Sequence, residues 1–157
     1  MGTSAAADLP LVDDHCVEVS ATPEVVWAAL SAALDGAFSG RAAAGYAALV
    51  GCTPRSAAGP RPLRSGSSIP GFDVVSATPV SRLVLAGAHR FSTYSLTFAI
   101  EPIGTQGARL SAETRAVFPG VAGGAYRAMV IGTGVHRVGV RRLLRGVLGA
   151  AGQTAPS

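Results

Sequence analysis

The spacing of apolar residues changes period along the chain, and each period predicts an element. Residues 14–20 alternate, with His15, Val17 and Val19 on one side and Cys16 and Glu18 on the other, as in a half-buried strand. Thr22 then stands as an N-cap, Pro23 as a first helical residue and Glu24 in the first turn, where acids are favoured. Val25, Val26, Trp27, Leu30 and Leu34 give that helix an apolar stripe. Phe38, Ala42, Tyr46 and Leu49 carry a second helix over residues 38–50, against which Gly40 and Gly45 weigh. Beyond residue 71 the period falls to two. Strands are expected at 72–77, 82–88, 94–100 and 108–118, joined through Thr78-Pro79 and residues 104–107. Links this short make an antiparallel meander, because parallel strands need long crossovers. Tyr94, Leu96, Phe98 and Ile100 share a greasy face with Leu110, Ala112, Thr114, Ala116 and Phe118; Arg109, Ser111, Glu113 and Arg115 lie opposite. Such a sheet asks for a cover on one face only.

The cover is expected from residues 120–148, which follow Pro119 at helical period. Val121, Ala125, Met129, Gly132, His136, Val140, Leu143 and Val147 fall on one side. Arg127, Arg137, Arg141, Arg142 and Arg145 fall on the other. Gly123, Gly124, Gly132, Gly134, Gly139 and Gly146 each cost about 1 kcal/mol against alanine, so the helix must be held by packing. A kink at Gly132 to Gly134 would shift the helical phase and undo this assignment of faces.

Composition limits the rest. A chain of 157 residues, 48% apolar and 14% charged, makes one folded domain, expected over residues 12–149 with frayed tails at 1–11 and 150–157. Residues 51–71 shift to Pro, Gly, Ser and Arg, which predicts weak strands near 63–69 in an edge or ligand-facing position. All 13 basic residues are Arg, so a net charge of +4 reflects residue usage as much as a basic binding surface. The first ten residues do not read as a signal peptide, and no window is apolar enough for a membrane span. Two cysteines are too few for a disulfide framework; with no secretory signal, a cytoplasmic protein is expected.

The order of strand, two helices, meander and long C-terminal helix resembles the START-like, or polyketide-cyclase (SRPBCC), superfamily. The segment from His15 through Ala21-Thr22-Pro23-Glu24-Val25-Val26-Trp27 is similar to that family's opening strand and helix. Gly87-Ala88-His89-Arg90-Phe91-Ser92-Thr93-Tyr94, Phe118-Pro119-Gly120 and Tyr126-Arg127 look similar to a bacterial branch of it. The resemblance implies an α+β helix-grip fold, a curved antiparallel sheet wrapped around the C-terminal helix. It also implies a groove between sheet and helix that holds a hydrophobic ligand. The superfamily spans lipid carriers, hormone receptors, polyketide cyclases and chaperone co-activators, so fold alone does not choose a function.

His136 is the most informative candidate. It lies on the inward helical face, with Gly132 and Gly139 a turn away on either side, and is read either as the polar group of a cavity or as a hydrogen-bonded core histidine. His89 and Tyr94 sit at neighbouring strand ends, as groups at a groove mouth or as a solvated turn and a core aromatic. The expected lining is Trp27, Phe72, Tyr94, Leu96, Phe98, Met129, Thr133, His136 and Val140 around a small hydrophobic or amphipathic molecule. An enzyme of the cyclase or dehydratase kind is the alternative, with His136 as base and Tyr94 or His89 as donor. A third reading makes the arginine face an interaction surface. Glu113 and Arg115 read as an outer-face cross-strand network. No metal or cofactor motif is present, no nucleotide-binding or nucleophile-elbow pattern occurs, and no specific nucleic-acid partner is expected.

Overall fold

The computed structural model describes residues 3–38 and 40–154. The elements, in chain order, are α1 (Thr3–Ala7), β1 (Leu11–Val19), α2 (Pro23–Phe38), α3 (Arg41–Val50), β2 (Ser68–Ile69), β3 (Phe72–Thr78), β4 (Arg82–His89), β5 (Ser92–Ile103) and β6 (Gly107–Val117). Helix α4 (Gly120–Arg127), one turn of π-helix (Ala128–Gly132) and α5 (Val135–Thr154) complete the chain. The strands form one antiparallel sheet in the order β1-β6-β5-β4-β3-β2. Helices α2 and α5 pack on each other and on its inner face, giving the α+β helix-grip arrangement expected from the sequence.

The inner face is built as the alternation predicts. Leu96, Phe98 and Ile100 of β5, Leu110 and Ala112 of β6 and Leu83 and Leu85 of β4 meet Val26, Leu30 and Leu34 of α2 and Val140, Leu144 and Val147 of α5. Leu30, Leu34, Phe98 and Val147 are wholly buried, each worth roughly 1.5–3 kcal/mol of transfer free energy. Residues 51–71 are mostly irregular but not loose: Leu63 and Ile69 enter the core, and β2 forms the sheet's edge.

The structure departs from the sequence reading at both ends and in the cover. Residues 1–11 are not simply a tail: α1 packs on the sheet's outer face, Ala6 is 2% exposed, and its carbonyl accepts from Ser95 Oγ at 2.9 Å. Arg115 reaches Leu9 O at 3.0 Å, and its carboxylate partner is Glu113 of the same strand. The cross-strand ion pair is Arg109 with Glu18. At the other end α5 continues to Thr154 with Ala151 buried; residues 155–157 of the expected second tail lie outside the described residues. In α3, Leu49 is exposed while Ala47 and Val50 are buried, so the stripe runs one residue out of the expected phase. The Ala42 side chain and Ser39 lie outside the described residues.

The cover is two helices, not one. Gly134 adopts φ +75°, a left-handed conformation natural to glycine, and the preceding turn is π-helical. The break resets the helical phase. Val121 (92% exposed), Ala125 and Met129 (60% exposed) therefore point outward, whereas His136, Val140, Leu143 and Val147 keep their inward places.

Candidate functional site

A cavity of about 190 Å³ opens between the meander, the C-terminal end of α3, and the α4–π-turn segment. Its floor is sheet: Leu96 and Tyr94 of β5, Thr114 and Ala116 of β6, and Val12 of β1. Phe72, Phe118, Val130 and Ile131 supply apolar walls, and His89, Tyr126, Tyr46 and His136 the polar ones. Of the expected lining residues, Phe72, Tyr94, Leu96 and His136 meet here, and His89 joins them.

The other expected lining residues lie elsewhere. Trp27 packs on the core from outside, beside Pro62, Leu63 and Ala77. Phe98 and Val140 are buried in the core below the cavity. Met129 and Thr133 are exposed because of the helix break, and the Thr133 hydroxyl donates back to Met129 O. Val130 and Ile131 take their place.

Tyr94 is held from three sides. Its register partner across the sheet is Gly87, and any Cβ there would strike the Tyr94 ring and the Gly71 carbonyl. The hydroxyl donates to Gly71 O at 2.8 Å, and Gly71, at φ +87° in the turn between β2 and β3, is tied to Pro54 O through its own N–H. Cys52 Sγ lies 3.7 Å from the same hydroxyl, placed by the left-handed Gly51 that ends α3. Burial, with the Cys52 thiol beside it, holds the Tyr94 phenol well above the ordinary tyrosine range.

Around it lies a cluster of aromatic rings, edge to face between Phe72 and Tyr94 and between His89 and Tyr126, and tilted between His89 and Tyr94. Phe72 lies 5.2 Å from Tyr94, and His89 lies 5.4 Å from Tyr94 and 4.8 Å from Tyr126. Tyr126 stacks on Phe91 at 5.4 Å and shares a hydrogen bond with Tyr46. Burial also raises the Tyr126 phenol and lowers His89, so this wall presents neutral rings at neutral pH. His89 Nδ1 accepts from the Phe91 N–H at 3.2 Å, which fixes Nε2 as the protonated nitrogen of the neutral ring. Gly123 allows the close approach that seats Tyr126, since a Cβ there would meet Phe118 backbone at 2.7 Å.

On the opposite wall His136 Nε2 lies 3.1 Å from Thr114 Oγ1 and 3.4 Å from Asp13 Oδ1. The sequence reading missed Asp13. A register shift between Leu11 and Asp13 bulges β1, so that Val12 lines the cavity while Asp13 is also buried, opposite Thr114. Its side chain is 7% exposed, and neither oxygen makes a hydrogen bond. His15 Nε2 at 3.7 Å and Arg137 Nε at 3.9 Å complete the surroundings. The signal was present, because Asp13 continues the inward series of His15, Val17 and Val19. Among the described residues no group of three or more His, Cys, Asp or Glu side chains is arranged to hold a metal ion.

No protein-family model matches the chain, and no curated protein matches it. Solved structures do. A protein of Mesorhizobium loti, MLL2253, superposes with a TM-score of 0.56 at 14% identity, over 92% of this chain and 100% of that one. A conserved protein of Geobacillus kaustophilus gives 0.52 at 14% identity, over 90% and 95%. CalU16 of Micromonospora echinospora gives 0.51 at 14% identity, over 88% and 82%. These likenesses show the fold, shared with bacterial proteins along nearly the whole chain. No helix among the described residues is long and apolar enough to cross a membrane.

Proposed function

We propose that the protein is a START-like binding protein that takes a small hydrophobic or amphipathic molecule into the cavity beneath α4 and the π turn. The observation that carries this reading is the cavity itself: a mostly apolar hollow, open at one side, on which Tyr94, His89, Tyr126, Thr114 and His136 converge. At about 190 Å³ it is smaller than the roughly 300–1,000 Å³ of drug-sized pockets, which favours a single ring or short chain over a full lipid tail. Native mass spectrometry of the purified protein, with melting curves against single-ring aromatics and short fatty acids, tests it. A retained molecule, or a saturable rise in melting temperature, is expected. No retained mass and no shift with any probe would count against it.

The same convergence supports an enzymatic reading, of the cyclase or dehydratase kind, in which the walls orient a reactive chain and exclude water. His136 is then the base, and His89 or Tyr94 the donor. Tyr94 is the weaker donor of the two, because its proton is already committed to Gly71 O. His136→Ala then abolishes turnover while binding persists; a change in affinity alone favours a carrier or sensor.

A further inference from the structure

Asp13 is a buried carboxylate whose two oxygens lack hydrogen bonds, and that state is costly unless positive charge lies against it. Among the described residues three basic groups lie within 4 Å of it: His136 and Arg137 from the first turn of α5, and His15 from its own strand. From β6 the neighbour is Thr114, which is neutral. The N-terminal end of α5 adds its own partial positive charge. His136 directs Nε2 at this carboxylate and at Thr114, and makes no hydrogen bond through Nδ1 among the described residues. Because His136 also lines the cavity, Nδ1 is the ring nitrogen left for a ligand.

Building on the binding role above, we propose that Asp13 and His136 form a carboxylate–imidazole pair that receives a proton at the cavity wall. The ligand is then an apolar molecule with one weakly acidic hydroxyl, a phenol or enol, bound as its oxyanion. In the binding step the ligand O–H bond breaks and its electron pair stays on oxygen. The proton passes to His136 Nδ1, and the resulting imidazolium lies between the oxyanion and Asp13. Asp13 is a positioning residue: it touches no ligand, and it fixes the ring's orientation and stabilises its charged form. The neutral wall of His89, Tyr94 and Tyr126 packs the ring and supplies no competing charge.

Two measurements decide it. Nitrogen NMR of the ligand-free protein is expected to show His136 Nε2 carrying a proton; a neutral ring protonated only at Nδ1 overturns the pairing without any variant. Para-nitrophenol, whose anion has its own visible absorption band, is then titrated below its solution pKa while the Tyr94 and His89 resonances report occupancy. The wild type is expected to bind it as the phenolate. Compared at equal occupancy of the cavity, His136→Gln and Asp13→Asn lose roughly tenfold or more of the bound anion fraction, and Asp13→Glu restores the band; an unchanged anion fraction in both variants overturns the pairing. If Asp13→Asn does not fold, His136→Gln carries the same comparison. Binding of the neutral phenol by the wild type overturns the proton transfer and leaves the cavity reading intact. No occupancy at all overturns both.

Discussion

Gly87 has no side chain of its own to contribute, yet it decides where Tyr94 lies. The phenol ring crosses the bare backbone of Gly87 to reach Gly71 O, so a methyl group at that position meets Tyr94 Cε2 at 2.8 Å and the Gly71 carbonyl closer still. Gly87→Ala is therefore expected to destabilise the fold by about 1–3 kcal/mol, read by chemical denaturation, and to shift the Tyr94 ring resonances. His89, two residues on, sets a pH dependence. Burial holds it below the ordinary histidine range, so the unfolded chain binds a proton at a higher pH than the folded chain does. Its contribution to stability is whole above the unfolded value, about 6.5, and is lost as pH falls from there through the lowered folded-state value. Denaturation midpoints should therefore fall between pH values of about 7.5 and 5.5, and fall less in His89→Gln.

Two glycines in the cover segments give opposite expectations, and the contrast belongs to the helices and not to their neighbours. Gly134 sits at φ +75° in open space, so Gly134→Ala costs about 1–2 kcal/mol from backbone strain alone. Gly139 lies inside α5, also in open space and without a positive φ, so Gly139→Ala gains about 1 kcal/mol. Denaturation of the two variants side by side checks both signs. The pair also explains what the sequence made legible. The meander was readable because branched and aromatic residues alternate over four strands, and the observed faces follow that alternation. The helix break was legible only as a kink that Gly132 to Gly134 would allow, because these glycines lie in a run full of them, and composition does not tell a tolerated glycine from one that ends a helix. Met129 and Thr133 were misplaced as lining residues for that reason. Asp13 was legible in the period, since it continues the inward series of His15, Val17 and Val19, but the alternation is read only from residue 14 onward, and an acid is not expected on a buried face.

At the scale of the molecule, α2 and α5 cover the inner face of the sheet while α1 takes part of the outer one. The arginines of α5 thus belong to a surface away from the core: Arg137, Arg141, Arg142 and Arg145 are all exposed. Replacing Arg141, Arg142 and Arg145 by Gln is expected to leave the melting temperature within a few degrees. The substitutions should remove whatever weak affinity for anionic vesicles or duplex DNA the protein shows at low salt. Binding that is tight and survives physiological salt would promote this face above the cavity.

If the cavity is a binding site, as proposed, the break at Gly134 also divides the labour of holding the fold from that of admitting a guest. Helix α5 is anchored by Val140, Leu144, Val147 and Ala151, whereas the π turn buries none of its residues and still supplies Val130 and Ile131 to the cavity. A passage into the cavity through residues 128–134 therefore disturbs little of the core, and entry and unfolding become separate events with separate barriers. Leu144→Ala, which removes about 2–5 kcal/mol of packing, should lower the melting temperature sharply and leave the association rate of a cavity probe unchanged in stopped flow. On that reading, the protein's doorway and its keystone lie on opposite sides of one glycine.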